Sequence, residues 1–299
     1  MPTLQEKRSK FRDRLKNADV ENLTLPYAVV TGKSAAKVTK AAAVAELVRA
    51  MDFEAVDCQS EYLDKISPDQ REALELYRQD GYVQMNEALR TGRMPTPLRM
   101  YHIAETLGKE LTTTRSDAGK FDKAPAAFAT ALCKSRDAFG LLQKEVQRSL
   151  KESMRMWKHL DNLKACVLDA PPRSKDVVLW RGERFRSTFH APKSGAKHLL
   201  KYSNDMRDLS AGARFTRKDF SSFSMSIVTA CNFSGDRCCL YRCTLPKDAP
   251  ALFMDTTSYP QEYEVVLPPG ATFTVTGKRV VRSEVSPTDD FTVYELTAS

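Results

Sequence analysis

Polar and apolar positions change period partway along the chain, dividing it into a helix-forming and a strand-forming part. Residues 3–17 are a charged amphipathic segment, and residues 34–50 (SAAKVTKAAAVAELVRA) are alanine-rich, with Ser34 placed as an N-cap. ISPDQREALELYRQD follows, with Ser67 as cap, Pro68 at the first helical position and Glu72 near the capping-box place. Asp80-Gly81 interrupts that helix, and YVQMNEALR starts another. A long helix is predicted over 134–165, where Leu142, Val146, Leu150, Met154, Trp157 and Leu160 mark one apolar stripe assigned to the core. From Asp176 onward short β-rich runs take over, at 177–181, 220–227, 238–245, 251–254, 263–267, 271–281 and 291–297. Turns such as Pro246-Lys247-Asp248 and Pro268-Pro269-Gly270 separate them. Helices first and strands second predict an α+β fold with an antiparallel or mixed sheet. There is no internal repeat. The expected boundary lies near residue 60, between an N-terminal helical extension (1–60) and a core domain (61–299).

Composition narrows the class. At 299 residues the chain is at the upper edge of what one core supports, and 42% hydrophobic with 28% charged residues excludes a disordered or fibrous chain. No apolar run approaches the roughly 18 residues of a membrane span. The start, MPTLQEKRSKFRDRLKNADV, is charged throughout, so no secretory signal peptide is expected. The protein is therefore expected in the cytoplasm, or in a target cell after delivery by a dedicated secretion system. Net charge is +8, and residues 173–218, with twelve basic residues against four acidic ones, account for all of it. Such a concentration points to an anionic partner: nucleotide, nucleic acid or membrane surface. The seven cysteines form no C-x-x-C pair, which argues against zinc or redox sites and for reduced, buried thiols.

One apparent motif is a decoy. Tyr27-Ala-Val-Val-Thr31-Gly-Lys-Ser34 reads as strand followed by Gly-Lys-Ser, but a phosphate-cradling loop needs glycine where Tyr27 stands. The four histidines (His102, His159, His190, His198) are scattered and read as surface or core residues. Three segments of the β half are more informative together. Leu179-Trp180-Arg181-Gly182 puts an arginine at the end of an apolar strand. Phe220-Ser221-Ser222-Phe223-Ser224-Met225-Ser226 is a serine-dense strand. In Ser258-Tyr259-Pro260-Gln261-Glu262-Tyr263-Glu264-Val265-Val266-Leu267 a loop enters a strand in which Glu262 and Glu264, two apart, are expected on one face. Two carboxylates side by side repel, a cost tolerated where a site uses them.

In this order and setting the set resembles the Arg-Ser-Glu class of mono-ADP-ribosyltransferases, in particular the clostridial binary-toxin enzyme components and related bacterial toxins and effectors. Tyr77, Gly81-Tyr82 and Asn86-Glu-Ala-Leu89-Arg90 match the family's aromatic-rich helix in spacing, and Leu245-Pro246-Lys247 and Leu252-Phe253-Met254 fit its strand–loop–strand. The likeness covers roughly 66–299. It implies an N-terminal helical region followed by two small perpendicular β-sheets that clasp NAD.

The resemblance implies roles residue by residue. NAD is the substrate and no metal is needed. Glu264 stabilises the oxocarbenium-like ribose and binds its 2′-hydroxyl. Ser222, first serine of the family's Ser-Thr-Ser strand, orients Glu264 or contacts NAD, beside Gly182 and Ser224. Arg181 holds the pyrophosphate. Tyr77, Tyr82 and Asn86 line the NAD pocket, Phe233 lies beneath nicotinamide, and Arg237 replaces a further phosphate ligand. Glu262 and the loop residue Tyr259 recognise the acceptor. A glutamate two before the catalytic one goes with arginine acceptors, whose guanidinium needs a carboxylate to hold it and assist proton loss. Two departures stand out: Phe223 replaces the usual threonine, and Gly182 stands where some toxins carry a second arginine, leaving Arg184 or Arg186 to supplement phosphate binding. The expected activity is mono-ADP-ribosylation of a macromolecule, arginine of a protein being favoured. Nucleic-acid modification, NAD hydrolysis and a non-catalytic binding module are the alternatives.

Overall fold

A computed structural model describes residues 3–56, 58–92, 151, 154–184, 209–234, 238–254, 262–282 and 290–299. The chain forms two compact units, one of residues 1–67 with 164–299 and one of residues 68–163.

The first unit starts with helix α1 (Leu4–Asn17), fixed at its start by a capping box between Thr3 and Glu6. Phe11 and Leu15, four apart on one face, are buried at 2% and 1% exposure, each burial being worth roughly 2–3 kcal/mol. Helix α2 (Glu21–Thr31) occupies the stretch read as a strand before Gly-Lys-Ser, and Gly32 ends it at φ 69°. The decoy is thus a left-handed helix C-cap, a conformation glycine takes without strain. Helix α3 (Lys40–Ala50) starts later than expected. Thr39 caps it by accepting from the Ala42 N–H, whereas the Ser34 hydroxyl accepts from Ala36 in the preceding turn. Short helices α4 (Phe53–Val56) and α5 (Ser60–Lys65) follow.

The second unit holds α6 (Pro68–Leu76), which opens on Pro68 as expected, a π-helical turn (Tyr77–Gly81) and α7 (Tyr82–Thr91). Gly81 is required there by close approach, since a Cβ would sit 2.6 Å from the Leu76 carbonyl oxygen. Helix α8 (154–168) carries Lys158, 2.7 Å from Asp69, and Arg155, paired with Glu72. Glu72 therefore makes an ion pair; the capping-box position three after Ser67 belongs to Gln70. Leu160 is buried, but Met154 is 73% exposed, which removes it from the expected core stripe. Leu142, Val146 and Leu150 lie outside the described residues.

Eight strands complete the first unit: β1 (Val177–Arg184), β2 (Arg214–Thr216), β3 (Ser221–Ser224), β4 (Cys238–Leu245), β5 (Leu252–Met254), β6 (Glu264–Leu267), β7 (Thr272–Arg282) and β8 (Asp290–Ala298). Helix α9 (Ile227–Ser234) follows β3, so the strand expected over 220–227 stops at Ser224 and its tail is helical. The α+β class stands. The strands form one hydrogen-bonded sheet, β2-β7-β8-β4-β1-β3-β6-β5, where two sheets were expected. It is narrowest between β1 and β3, joined at the single pair Trp180–Ser224, while β1 and β4 align over their whole length. β4 and β8 are parallel and the other neighbours antiparallel.

Residues 3–56 share a core with the sheet: Phe11, Leu23 and Leu47 belong to one buried cluster with Leu179, Tyr241, Val265 and Phe273. Gln59 joins these parts by hydrogen bonds. Its Nε2 donates to the carbonyls of Pro171 (2.8 Å) and Ala251 (3.0 Å), and its Oε1 accepts from the Phe253 N–H at 2.9 Å. Gln59→Ala should cost about 2–4 kcal/mol, because it strands buried backbone groups. Urea unfolding measures this, and a loss under about 1 kcal/mol would show the carbonyls and N–H rehydrated instead.

The basic segment 173–218 looks different once folded. Arg173 is buried under the Phe253 ring, donates to the carbonyls of Pro246 and Ala249, and has its pKa lowered by burial. Arg217 is buried, and Lys175 pairs with Asp52 and Glu54. Residues 185–208 lie outside the described residues. Of the thiols, Cys166, Cys239 and Cys243 are buried and burial pushes Cys243 up to about 12, whereas Cys58 is exposed, against expectation.

Candidate active site

Three adjoining strands, β1, β3 and β6, carry Arg181, the two serines and Glu264. Antiparallel pairing fixes their faces. Ser224 lies opposite both Trp180 and Glu264, and Ser222 opposite Val266. Directly opposed residues share a face, and so do residues two apart, so Ser222, Ser224 and Glu264 belong to one face.

Arg181 is held by its neighbours. Its Nη1 donates to the Ser222 carbonyl at 2.6 Å, its Nε to Glu183 Oε1 at 3.1 Å, and its guanidinium carbon lies 6.0 Å from the Phe223 ring centre. Among the described residues Nη2 has no hydrogen-bond partner, and the side chain is 26% exposed. A fixed guanidinium with a remaining donor suits a phosphate oxygen. Phe223 thereby gains a physical account: its ring supports Arg181 on one side and packs 5.7 Å from Phe273 on the other.

Sequence reasoning missed two members of this cluster. Glu183 accepts from both Arg181 and Arg217, and the Tyr241 hydroxyl donates to it at 3.5 Å. Burial by itself raises the Glu183 carboxyl, but Arg217 and Arg181, by charge and hydrogen bonds, outweigh it and hold the pKa at about 2. The signal was present in the spacing, since Glu183 is two after Arg181 on one strand and must share its face. Nothing local marks Arg217, which is brought in by tertiary structure.

The Glu262–Glu264 segment departs from the expected strand. Strand β6 begins at Glu264, and Tyr263 adopts φ 47°, the left-handed region. Strand alternation therefore does not put the two glutamates on one face; the Tyr263 backbone sets their relation instead. A non-glycine residue held there costs about 1–3 kcal/mol, supplied by its surroundings. The Tyr263 carbonyl accepts from Met225 N–H at 3.0 Å, and the Ser224 hydroxyl donates to the Glu262 carbonyl at 2.5 Å while accepting from Ser226 N–H at 2.9 Å. Ser224, expected among the NAD contacts, is thus the serine bonded to the glutamate-bearing segment. Ser222 offers its carbonyl to Arg181, and its side chain is half-buried.

The other expected residues are placed as follows. Gly182 lies within β1 opposite Leu240, and Phe233 near the end of α9 is 56% exposed. In the second unit, Tyr77 is buried, and the Tyr82 ring, 46% exposed, meets it edge-on at 6.3 Å, with Asn86 half-buried on α7. Tyr259, Arg186 and Arg237 lie outside the described residues, as does the side chain of Arg184. Among the described residues no group of three His, Cys, Asp or Glu could hold a metal ion, and no helix is long and apolar enough to cross a membrane.

Comparisons bear on this arrangement. Residues 140–298 match the family model described as ADP-ribosyltransferase exoenzyme. Among solved structures, the ADP-ribosylating toxin BECa of a binary enterotoxin of C. perfringens, crystallised with NADH, superposes with a TM-score of 0.50 at 13% identity, covering 83% of this chain. The chain spans about half, 49%, of that protein's length. An ADP-ribosyltransferase toxin from Paenibacillus larvae gives a TM-score of 0.49 at 12% identity, covering 82% of this chain and 96% of its own. At 13% identity the likeness to BECa speaks for the fold alone. The curated proteins gave no match.

Proposed function

The chain belongs to the ADP-ribosyltransferase exoenzyme family, and from that premise we propose that it splits NAD at the nicotinamide–ribose bond and transfers ADP-ribose to an arginine of a target protein, as a toxin or effector. The observation that supports this reading is that the adjoining strands β1, β3 and β6 carry Arg181, Ser222, Ser224 and Glu264, with Arg181 bonded to the Ser222 carbonyl and Glu262 one left-handed residue before Glu264. Arg181 takes a pyrophosphate oxygen on Nη2. The glycosidic C–N bond breaks, its electron pair goes to the nicotinamide ring, and neutral nicotinamide leaves. The Glu264 carboxylate faces the positive charge left on the ribose and stabilises it. A guanidino nitrogen of the acceptor then bonds to the ribose C1′ and loses a proton to Glu262.

Tyr77, Tyr82, Asn86, Gly182 and Phe233 are proposed as NAD contacts on the resemblance, and Tyr259 as an acceptor contact. The basic excess supports a nucleic-acid acceptor less well than the sequence implied, because Arg173 and Arg217 are buried in structural roles.

Labelled NAD incubated with target-cell lysate provides the test. Label should enter a protease-sensitive, nuclease-resistant product that hydroxylamine releases, as an arginine conjugate does. Release of free ADP-ribose alone would replace transfer with hydrolysis, and nuclease-sensitive label would replace protein with nucleic acid. Glu262→Gln should lower transfer by about 10²-fold, the loss of a general base, while retaining NAD hydrolysis. Equal loss of both would remove the acceptor role from Glu262.

A further inference from the structure

The residue between the two glutamates is gripped from the opposite end of the chain. Tyr263 is partly buried, and its ring meets Phe11 of α1 edge-on at 5.5 Å and 87°. The Arg14 guanidinium, one helical turn on, lies 5.6 Å from the same ring and 5.3 Å from Phe11. Phe11 is anchored in turn, edge-on to Phe53 at 5.6 Å, with Arg8 5.7 Å from the Phe53 ring. Arg14 is partly desolvated: burial lowers its pKa, and the nearby Tyr263 raises it. Two of these contacts, from Phe11 and Arg14, fall on one side chain whose backbone is left-handed.

We propose that helix α1 is a clamp on the acceptor-side glutamate, with Tyr263 as the gripped residue and Phe11 and Arg14 as the grip; this rests on the roles given above to Glu262 and Glu264. Glu264 has a second support, because strand pairing with Ser224 and Met254 holds its backbone on both sides. Glu262 lies beyond the left-handed residue and outside the β6 ladder, with its carbonyl on the Ser224 hydroxyl, so the direction of its carboxylate depends on that bond and on the conformation of Tyr263 together. Releasing the ring therefore disturbs Glu262 more than Glu264. In chemical terms, α1 acts on delivery of ADP-ribose to arginine rather than on cleavage of NAD. The first sixty residues, expected as an extension of unknown role, would then contain a positioning element of the catalytic reaction.

The ratio of transfer to NAD hydrolysis is the readout that a merely structural role leaves unmoved. Arg14→Ala should lower that ratio about tenfold, the scale of a small misplacement of a reacting group, and Arg14→Lys should restore most of it through the retained cation–π contact. Tyr263→Gly should lower the ratio similarly, and without backbone strain, since glycine accepts φ 47°; Tyr263→Phe, which keeps the ring, should retain it. Arg12→Ala on the exposed side of α1 serves as the unchanged control. If Arg14→Ala fails to fold, Tyr263→Gly decides. A wild-type ratio in folded variants, or equal loss of transfer and hydrolysis, overturns the clamp. Hydrogen exchange at residues 262–264 needs no activity and separates the two failures. Faster exchange in Arg14→Ala when no form consumes NAD sinks the functional reading and leaves the clamp, whereas unchanged exchange sinks the clamp.

Discussion

Glu264→Gln should abolish both ADP-ribose transfer and NAD hydrolysis, lowering kcat/KM at least 10²–10³-fold, roughly the loss seen when one fixed group stabilising transition-state charge is removed. The amide keeps the size and strand position of the carboxylate, so β6 should pair with β3 and β5 as before and stability should change little. On the role proposed for Glu264, what is lost is the negative charge facing the ribose as its bond to nicotinamide breaks. NAD binding, measured by calorimetry, should persist, because Arg181 and its anchors on Ser222 and Glu183 are untouched. The loss should therefore fall on kcat rather than KM. Both activities should fall together, because both begin with cleavage of the same bond. A variant that keeps hydrolysis while losing transfer would move Glu264 to the acceptor side. A loss under tenfold would show the stabilising charge to lie elsewhere.

What the chain disclosed in advance, and what it withheld, follows from the range of the interactions involved. Strands β4, β6, β7 and β8 were legible within one or two residues, because β-branched and aromatic runs bounded by Pro, Gly and Asp turns are local signals. Helix α2 was misread because Tyr27-Ala-Val-Val favours a strand locally, yet its residues Leu23, Tyr27, Ala28 and Val29 are buried as a helix in the core. The placement of Arg181, Ser222, Ser224 and Glu264 on neighbouring strands was expected from the resemblance and from no feature of spacing. Strand alternation is not a sound basis for the Glu262–Glu264 relation, for a definable reason: it assumes extended backbone throughout, and Tyr263 breaks that assumption. Neither the Arg217–Glu183 pair nor the Phe11–Tyr263–Arg14 contact could have been foreseen, since each joins residues far apart in sequence. The basic excess is the opposite case, a plain sequence feature whose meaning changed because folding turned some of its charges inward.

Glu183→Ala should destabilise the protein by about 3–5 kcal/mol, since it removes the carboxylate that pairs with both the buried Arg217 and Arg181 and lies between the two guanidinium groups. The Arg217 side chain is only 8% exposed, so water does little to replace the carboxylate. The same pair sets an acid limit on the wild type. Glu183 is held at about 2 against an ordinary 4.5, so it binds fewer protons folded than unfolded at intermediate pH. Its contribution, on the order of 3 kcal/mol, is fully present above the unfolded value and is lost as pH falls toward 2. Urea midpoints measured from pH 7 down to 2.5 should therefore fall in the wild type. Glu183→Ala should start lower at pH 7 and decline less through the same window. Parallel declines would assign the acid limb to other carboxylates. The functional consequence lies with Arg181, whose Nε loses its acceptor. On the role proposed for Arg181 at the pyrophosphate, KM for NAD should rise with the stability loss, because the carboxylate that pairs with Arg217 also holds Arg181 through its Nε.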